Sequence, residues 1–240
     1  MAEIAAGGGA EILAVLDDLA GAAGIPDVAG TAAAIARLSG NEVRPVSLTA
    51  AVSDAEAERQ VMRELRRSRT ASGVLAGHGA PRPLWQRVAQ RSGKPVVLVP
   101  AGARGAPPRI TRVLLPLDGT AQSAEAVAVT AGRLARAGVE LVVVHVFGSG
   151  TVPMFWDQHA HEGRAWAEEF LARYCAQPGA RLELRSGPAA EHVLDVAMSE
   201  RADLIALAWS QRLDAGRAAM VRHVVRSSDV PVLLVPLAVT

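Results

Sequence analysis

Short, intensely apolar runs alternate with stretches in which apolar residues recur every three or four positions, and the alternation continues along most of the chain. The run "EILAVLDD" (11–18), ended by two acids, has the pattern of a strand buried on both faces. "GTAAAIARL" (30–38) predicts a short helix stopped by Gly40, and "EVRPVSLTA" (42–50) a strand. Pro45 places that strand at an edge or entry position, because proline has no N–H to give to a ladder. "SDAEAERQVMRELRRS" (53–68) opens on Ser53 and acids and ends in arginines, the charge order that a helix dipole favours, with Ser53 as N-cap. A strand at 72–79 running into a glycine turn, a helix at 84–93 and the strand "KPVVLVP" complete this stretch. The Gly- and Pro-rich "AGARGAPPR" (101–109) has no periodicity and marks a boundary between domains at 1–103 and 109–240.

The second part repeats the grammar at greater length. Strands are predicted at 112–119, 139–147, 180–187, 202–209 and at "VPVLLVP", with helices at 123–138, 162–176, 190–201 and 218–228. Such alternation implies a parallel sheet covered by helices on both faces. The phrases "KPVVLVPA" and "VPVLLVPL" repeat, with Pro95 and Pro231 standing 136 positions apart, while Leu16–Asp17 and Leu117–Asp118 are offset by 101. Two copies of one folding unit fit these offsets. The difference of 35 residues implies that the first copy lacks one strand–helix pair, expected to be the counterpart of "VELVVVHVF" and its helix.

Composition narrows the function classes. Half the residues are apolar, a fifth are charged and only 3% are aromatic, which suits close-packed helix–sheet layers. A net charge of +1 offers no field to draw nucleic acid or an anionic membrane, so neither is expected as a partner. Cys175 is the only cysteine, which excludes a disulfide framework and a CxxC motif. The opening "MAEIAAGGGA" lacks the order of a secretory signal, and the longest apolar stretches fall short of the roughly 20 residues of a membrane span, so a cytoplasmic location is expected.

In order, "RVLLPLDGTAQSAEAV", "LVVVHV", "RSGPAAEHVLDVA", "ADLIALAW" and "VPVLLVP" resemble the universal stress protein family over residues 110–237, and residues before them look like a shortened, diverged copy. The resemblance implies two tandem repeats of an open parallel α/β sheet of the Rossmann-like, adenine nucleotide alpha hydrolase-like kind. Family members that bind ATP carry Gly-x-x-Gly after the fourth strand and Gly-Ser or Gly-Thr at the next helix. Glycines there let backbone amides approach phosphates, and the helix N-terminus adds a positive dipole.

This sequence departs from that pattern. Ala208 and Gln211 stand where the two glycines belong, and Ala218–Ala219 where Gly-Ser belongs, so side chains intrude where phosphate oxygens would come. In the first copy, "GHGAPRP" keeps Gly77 and Gly79 at Gly-x-Gly spacing, with His78 and Arg82 as candidate anion ligands. The purine end of a pocket remains conceivable around Asp118, Gly119, Thr120, Val146, Ala208, Trp209 and Ser210, at the carboxyl edge where open α/β sheets place ligands. Asp118 reads equally well as a helix cap, and Trp209 is expected at the pocket mouth, its indole plugging a vacated nucleotide site. The expected function is a stress-associated, non-catalytic binding or regulatory module that requires no cofactor. An adenine-nucleotide sensor using ATP or AMP through Asp118, Val146 and Trp209 is the alternative.

Enzyme chemistry finds little support. Asp157, His159, His161 and Glu162 lie close together in "WDQHAHEGRAWAEE", but His159 and His161 diverge on a helix and the segment reads as a solvated helix start, not a metal site. There is no Gly-x-Ser-x-Gly elbow, and Ser210 merely ends a strand. His145, His192 and His223 read as structural. The two closing strands are apolar and would expose a hydrophobic edge if unpaired. In the family this strand pairs antiparallel with its counterpart in a partner domain. Val96 and Leu98 are therefore expected against Val232 and Leu234 in an intramolecular pseudo-dimer, with a further homodimer open.

Overall fold

The computed structural model describes residues 9–18, 27–77, 84–101, 103, 105–148, 160–211 and 217–237, with side chains of 160–162 and 217 left aside. In chain order the elements are β1 (Glu11–Asp17), α1 (Val28–Ser39), β2 (Glu42–Leu48), α2 (Asp54–Leu65), β3 (Thr70–Ala76), α3 (Leu84–Arg91) and β4 (Val96–Val99). After residues 105–111, which form neither strand nor helix, come β5 (Arg112–Pro116), α4 (Ala121–Arg136), β6 (Glu140–Phe147), α5 (Ala160–Tyr174), β7 (Arg181–Ser186), α6 (Ala189–Ser199), β8 (Leu204–Trp209), α7 (Arg217–Ser227) and β9 (Val232–Pro236). Local signals fix several ends. The Ser53 hydroxyl accepts from the Glu56 N–H at 3.3 Å to cap α2. Gly40 closes α1 in the left-handed conformation at φ 66°, where a side chain would be strained.

All nine strands join in one sheet of order β2-β1-β3-β4-β9-β8-β5-β6-β7. Every pairing is parallel except that of β4 with β9, where Val96 faces Leu234, Val97 faces Leu233 and Leu98 faces Val232. These six residues are 0–4% exposed, so the two most hydrophobic strand edges end in the middle of the sheet, covered by each other. Strands β1–β4 with α1–α3 form an N-terminal lobe, and β5–β9 with α4–α7 a C-terminal lobe. One face is packed under α1, α4 and α5, and the other under α2, α3, α6 and α7.

The outermost strands are polar. Edge strand β2 carries Pro45, whose missing N–H removes no bond to the one neighbour that β2 has. The topology also corrects one expectation. Beside β1 lies β2, just as β6 lies beside β5, so "VELVVVHVF" does have a counterpart in the N-terminal lobe. What that lobe lacks is a partner for β7 and α5. A strand that is buried on both sides in one lobe serves in the other as a solvated edge, and its apolar character drops accordingly ("EVRPVSL" against "ELVVVHVF"). Periodicity alone misaligned the two.

Candidate functional site

In the C-terminal lobe the chain runs from β5 to β6 on one side, then returns to place β8 on the other. Strand order therefore reverses between β5 and β8, and a crevice opens at their carboxyl ends, the usual ligand position in open α/β sheets. A cavity of about 300 Å³ lies there, walled by Leu117, Val144, Val146, Leu207, Ala208 and Trp209 and by Val193 of α6 and Val221 of α7. Asp118, Ser123 and Ser210 provide its polar side chains.

The Asp118 carboxylate is held by the loop around it. Its Oδ1 accepts from the Thr120 N–H at 3.0 Å, the Thr120 hydroxyl at 2.7 Å and the Ser123 hydroxyl at 2.5 Å. The N-cap of α4 is Thr120, not Asp118: the Thr120 hydroxyl accepts from the Ser123 N–H at 3.3 Å. Gly119 turns the chain between them at φ 76°, beside the rings of His145 and Phe170. Asp118 thus braces the turn while one of its oxygens faces three donors, an arrangement that fixes the carboxylate at the cavity edge. Ser123 escaped sequence reasoning, although "DGTAQS" carries the capping spacing that would have found it.

Trp209 departs from its expected place at the mouth. It is the last residue of β8, 2% exposed, and its indole N–H crosses to the N-terminal lobe to donate to the Ala89 carbonyl of α3 at 3.1 Å. The ring is a side wall of the cavity, which stays open beside it. Two residues on, Gln211 donates from Nε2 to the Ser92 carbonyl at the end of α3. Gln211 has φ 61°, a left-handed backbone that glycine adopts freely and glutamine does not. The backbone keeps the glycine conformation at this position while the side chain serves to join the lobes.

The other candidates are dispersed. Val146 and Ala208 are half-buried cavity walls, and Ser210 is half-buried at the end of β8. Ala218 is buried and Ala219 exposed in the first turn of α7. His145 Nδ1 lies 2.8 Å from the Leu117 carbonyl, among Phe147, Trp166 and Phe170; His192 Nε2 lies 3.0 Å from the Ser186 carbonyl. His223 is exposed on α7. Gly77 follows β3, packed on the Val99 carbonyl, while His78, Gly79 and Arg82 lie outside the described residues, as do Asp157 and His159 and the side chains of His161 and Glu162. Among the described residues no group of three histidine, cysteine or carboxylate side chains is placed to hold a metal ion. Burial raises the Cys175 thiol above its usual range, away from the reactive thiolate. Among the described residues no helix is long and apolar enough to cross a membrane.

The fold has known counterparts. A structure from Pseudomonas aeruginosa UCBPP-PA14, provisionally described as a universal stress protein, matches 95% of this chain and 93% of its own at 15% identity and a TM-score of 0.60. A universal stress protein from Archaeoglobus fulgidus DSM 4304 matches 95% of this chain and 86% of its own at 15% identity and a TM-score of 0.59. A functionally unknown protein from P. aeruginosa PAO1 matches 95% and 92%, at 14% identity and a TM-score of 0.56. No curated protein matches the chain. The model of the universal stress protein family matches residues 109–236, which include every strand of the C-terminal lobe and all of the crevice lining except Leu237. The chain belongs to the universal stress protein family.

Proposed function

We propose that this protein is a stress-associated binding or regulatory module that does no catalysis and has given up the ATP triphosphate site of its family, working in the cytoplasm as two tandem domains, 1–103 and 109–240, paired through β4 and β9. The observation that carries this reading is the use made of the segment after β8. Where ATP binders expose glycine amides, Trp209 and Gln211 spend their side-chain donors on carbonyls of α3, and Ala208 and Ala218 line the cavity. Glycine amides form a phosphate cradle by being uncovered; here the same segment is occupied in holding the lobes together. Calorimetry with ATP and Mg²⁺ tests the reading. The expected result is no binding in the micromolar range, and micromolar binding overturns it.

A second reading is favoured by the cavity itself. About 300 Å³ remains open at the strand-order reversal, apolar except for Asp118, Ser123 and Ser210, which suits a flat heterocycle better than a polyphosphate. In that case AMP or adenosine binds with Mg²⁺-independent affinity at least equal to that of ATP, and Asp118→Ala weakens it. Equal failure of all three ligands leaves the first reading.

A further inference from the structure

A second cavity, of about 340 Å³, lies on the opposite face of the sheet, above the junction of the lobes. Its floor takes one residue from each of four adjacent strands: Ser72 of β3, Val97 of β4, Leu233 of β9 and Leu204 of β8. The three apolar ones are 1–4% exposed, and the walls, from α1 and α4, include Ile35, Leu38 and Leu134. Ser72 is the one polar residue of that floor. It is 1% exposed, and its Oγ has no hydrogen-bond partner among the described residues. Folding has therefore already stripped this hydroxyl of water, and a ligand atom that reaches it gains a hydrogen bond without further desolvation of the protein. A water molecule is a poor substitute, since it needs several polar neighbours and the rest of the floor is apolar. Two arginines of α4 also line the cavity. Arg133 is engaged within the protein and Arg136 is exposed, its charge solvated, so neither calls for an anion.

We propose that this cleft between α1 and α4 binds a neutral, elongated apolar molecule that ends in a single hydroxyl, an alcohol or a phenol, with its body along the Val97–Leu233 floor and its hydroxyl at Ser72 Oγ. The line from Ser72 to Leu204 crosses three strand spacings, roughly 14 Å, which limits the length of such a molecule. Charge is excluded by the same floor, because hydrocarbon and one buried hydroxyl cannot offset the desolvation of an ion. A plain hydrocarbon fits the floor but leaves Ser72 unanswered. The site is built by both lobes together and lies across the sheet from the crevice at β5 and β8.

Ligand-detected NMR on the full chain tests this with 4-propylphenol, propylbenzene and 4-propylbenzoate at neutral pH. The expected result is saturable binding at about millimolar affinity or tighter, with the phenol about fivefold ahead of propylbenzene and the benzoate weakest. Methyl resonances of Val97, Leu204 and Leu233 should shift on titration with the phenol, and those of Val144 and Val146 in the crevice should not. Ser72→Ala should raise the melting temperature of the free protein, since it removes the unpaired hydroxyl, and should erase the advantage of the phenol while propylbenzene still binds. The absence of saturable binding overturns the proposal, as do shifts confined to the crevice. So does a benzoate that binds more tightly than the phenol, or a phenol advantage that survives Ser72→Ala.

Discussion

Gln211 keeps a backbone shape suited to glycine and a side chain that glycine lacks, and the two facts pull stability in opposite directions. Gln211→Ala loses the bond to Ser92 and keeps the left-handed strain, whereas Gln211→Gly loses the bond and relieves the strain. The glycine variant should therefore be the more stable of the two by about 1 kcal/mol, read by urea denaturation. Trp209→Phe leaves the buried Ala89 carbonyl without its donor and should cost about 1–3 kcal/mol in the same measurement. Neither role was legible in the sequence, because the partners lie 119 and 120 residues away and no local pattern points to them. Ser53 was legible for the converse reason: a cap acts within three residues of itself. Asp118 fell between, its place at the strand end readable and its engagement with Thr120 and Ser123 only partly so.

At the scale of elements, the strands announced themselves, since a run such as "LVVVHV" or "VPVLLVP" has no reason to be apolar on both sides unless helices cover both. Adjacency was harder. Only the repeated closing phrase carried information about its neighbour, and β4 and β9 do lie antiparallel with Val96 against Leu234. The count of missing elements was also readable, but not their identity, because an edge strand and a central strand of equal topological rank differ in polarity. A charge placed in the β4–β9 junction has nowhere to go. Leu234→Lys or Val232→Lys buries an ammonium at a position 0–1% exposed and should cost more than about 4 kcal/mol, with loss of soluble protein on expression. A soluble variant with unchanged melting would remove the junction from any structural role.

Across the whole molecule, ion pairs gather at the amino ends of the strands, opposite the crevice. Arg44 of β2 joins Glu11 of β1 and Glu64 of α2 at 2.7 Å each, and in the other lobe Glu140 of β6 meets Arg112 of β5 at 2.6 Å and Arg181 of β7 at 2.6 Å. Hydrogen bonds from Arg181 and Arg112 hold the Glu140 carboxyl below the ordinary glutamate range. A lowered folded-state pKa means that this contribution is complete above the unfolded value of about 4.3 and is lost as pH falls through the depressed one. Stability should thus decline on that acid limb, and Glu140→Gln should make the decline shallower in pH-dependent thermal melts. The remaining consequence concerns the antiparallel pair at the centre of the sheet. When two such strands belong to separate molecules, their meeting is a second-order event and dilution parts them. Carried on one polypeptide, the encounter becomes first-order, and the pairing persists however scarce the protein is in the cell.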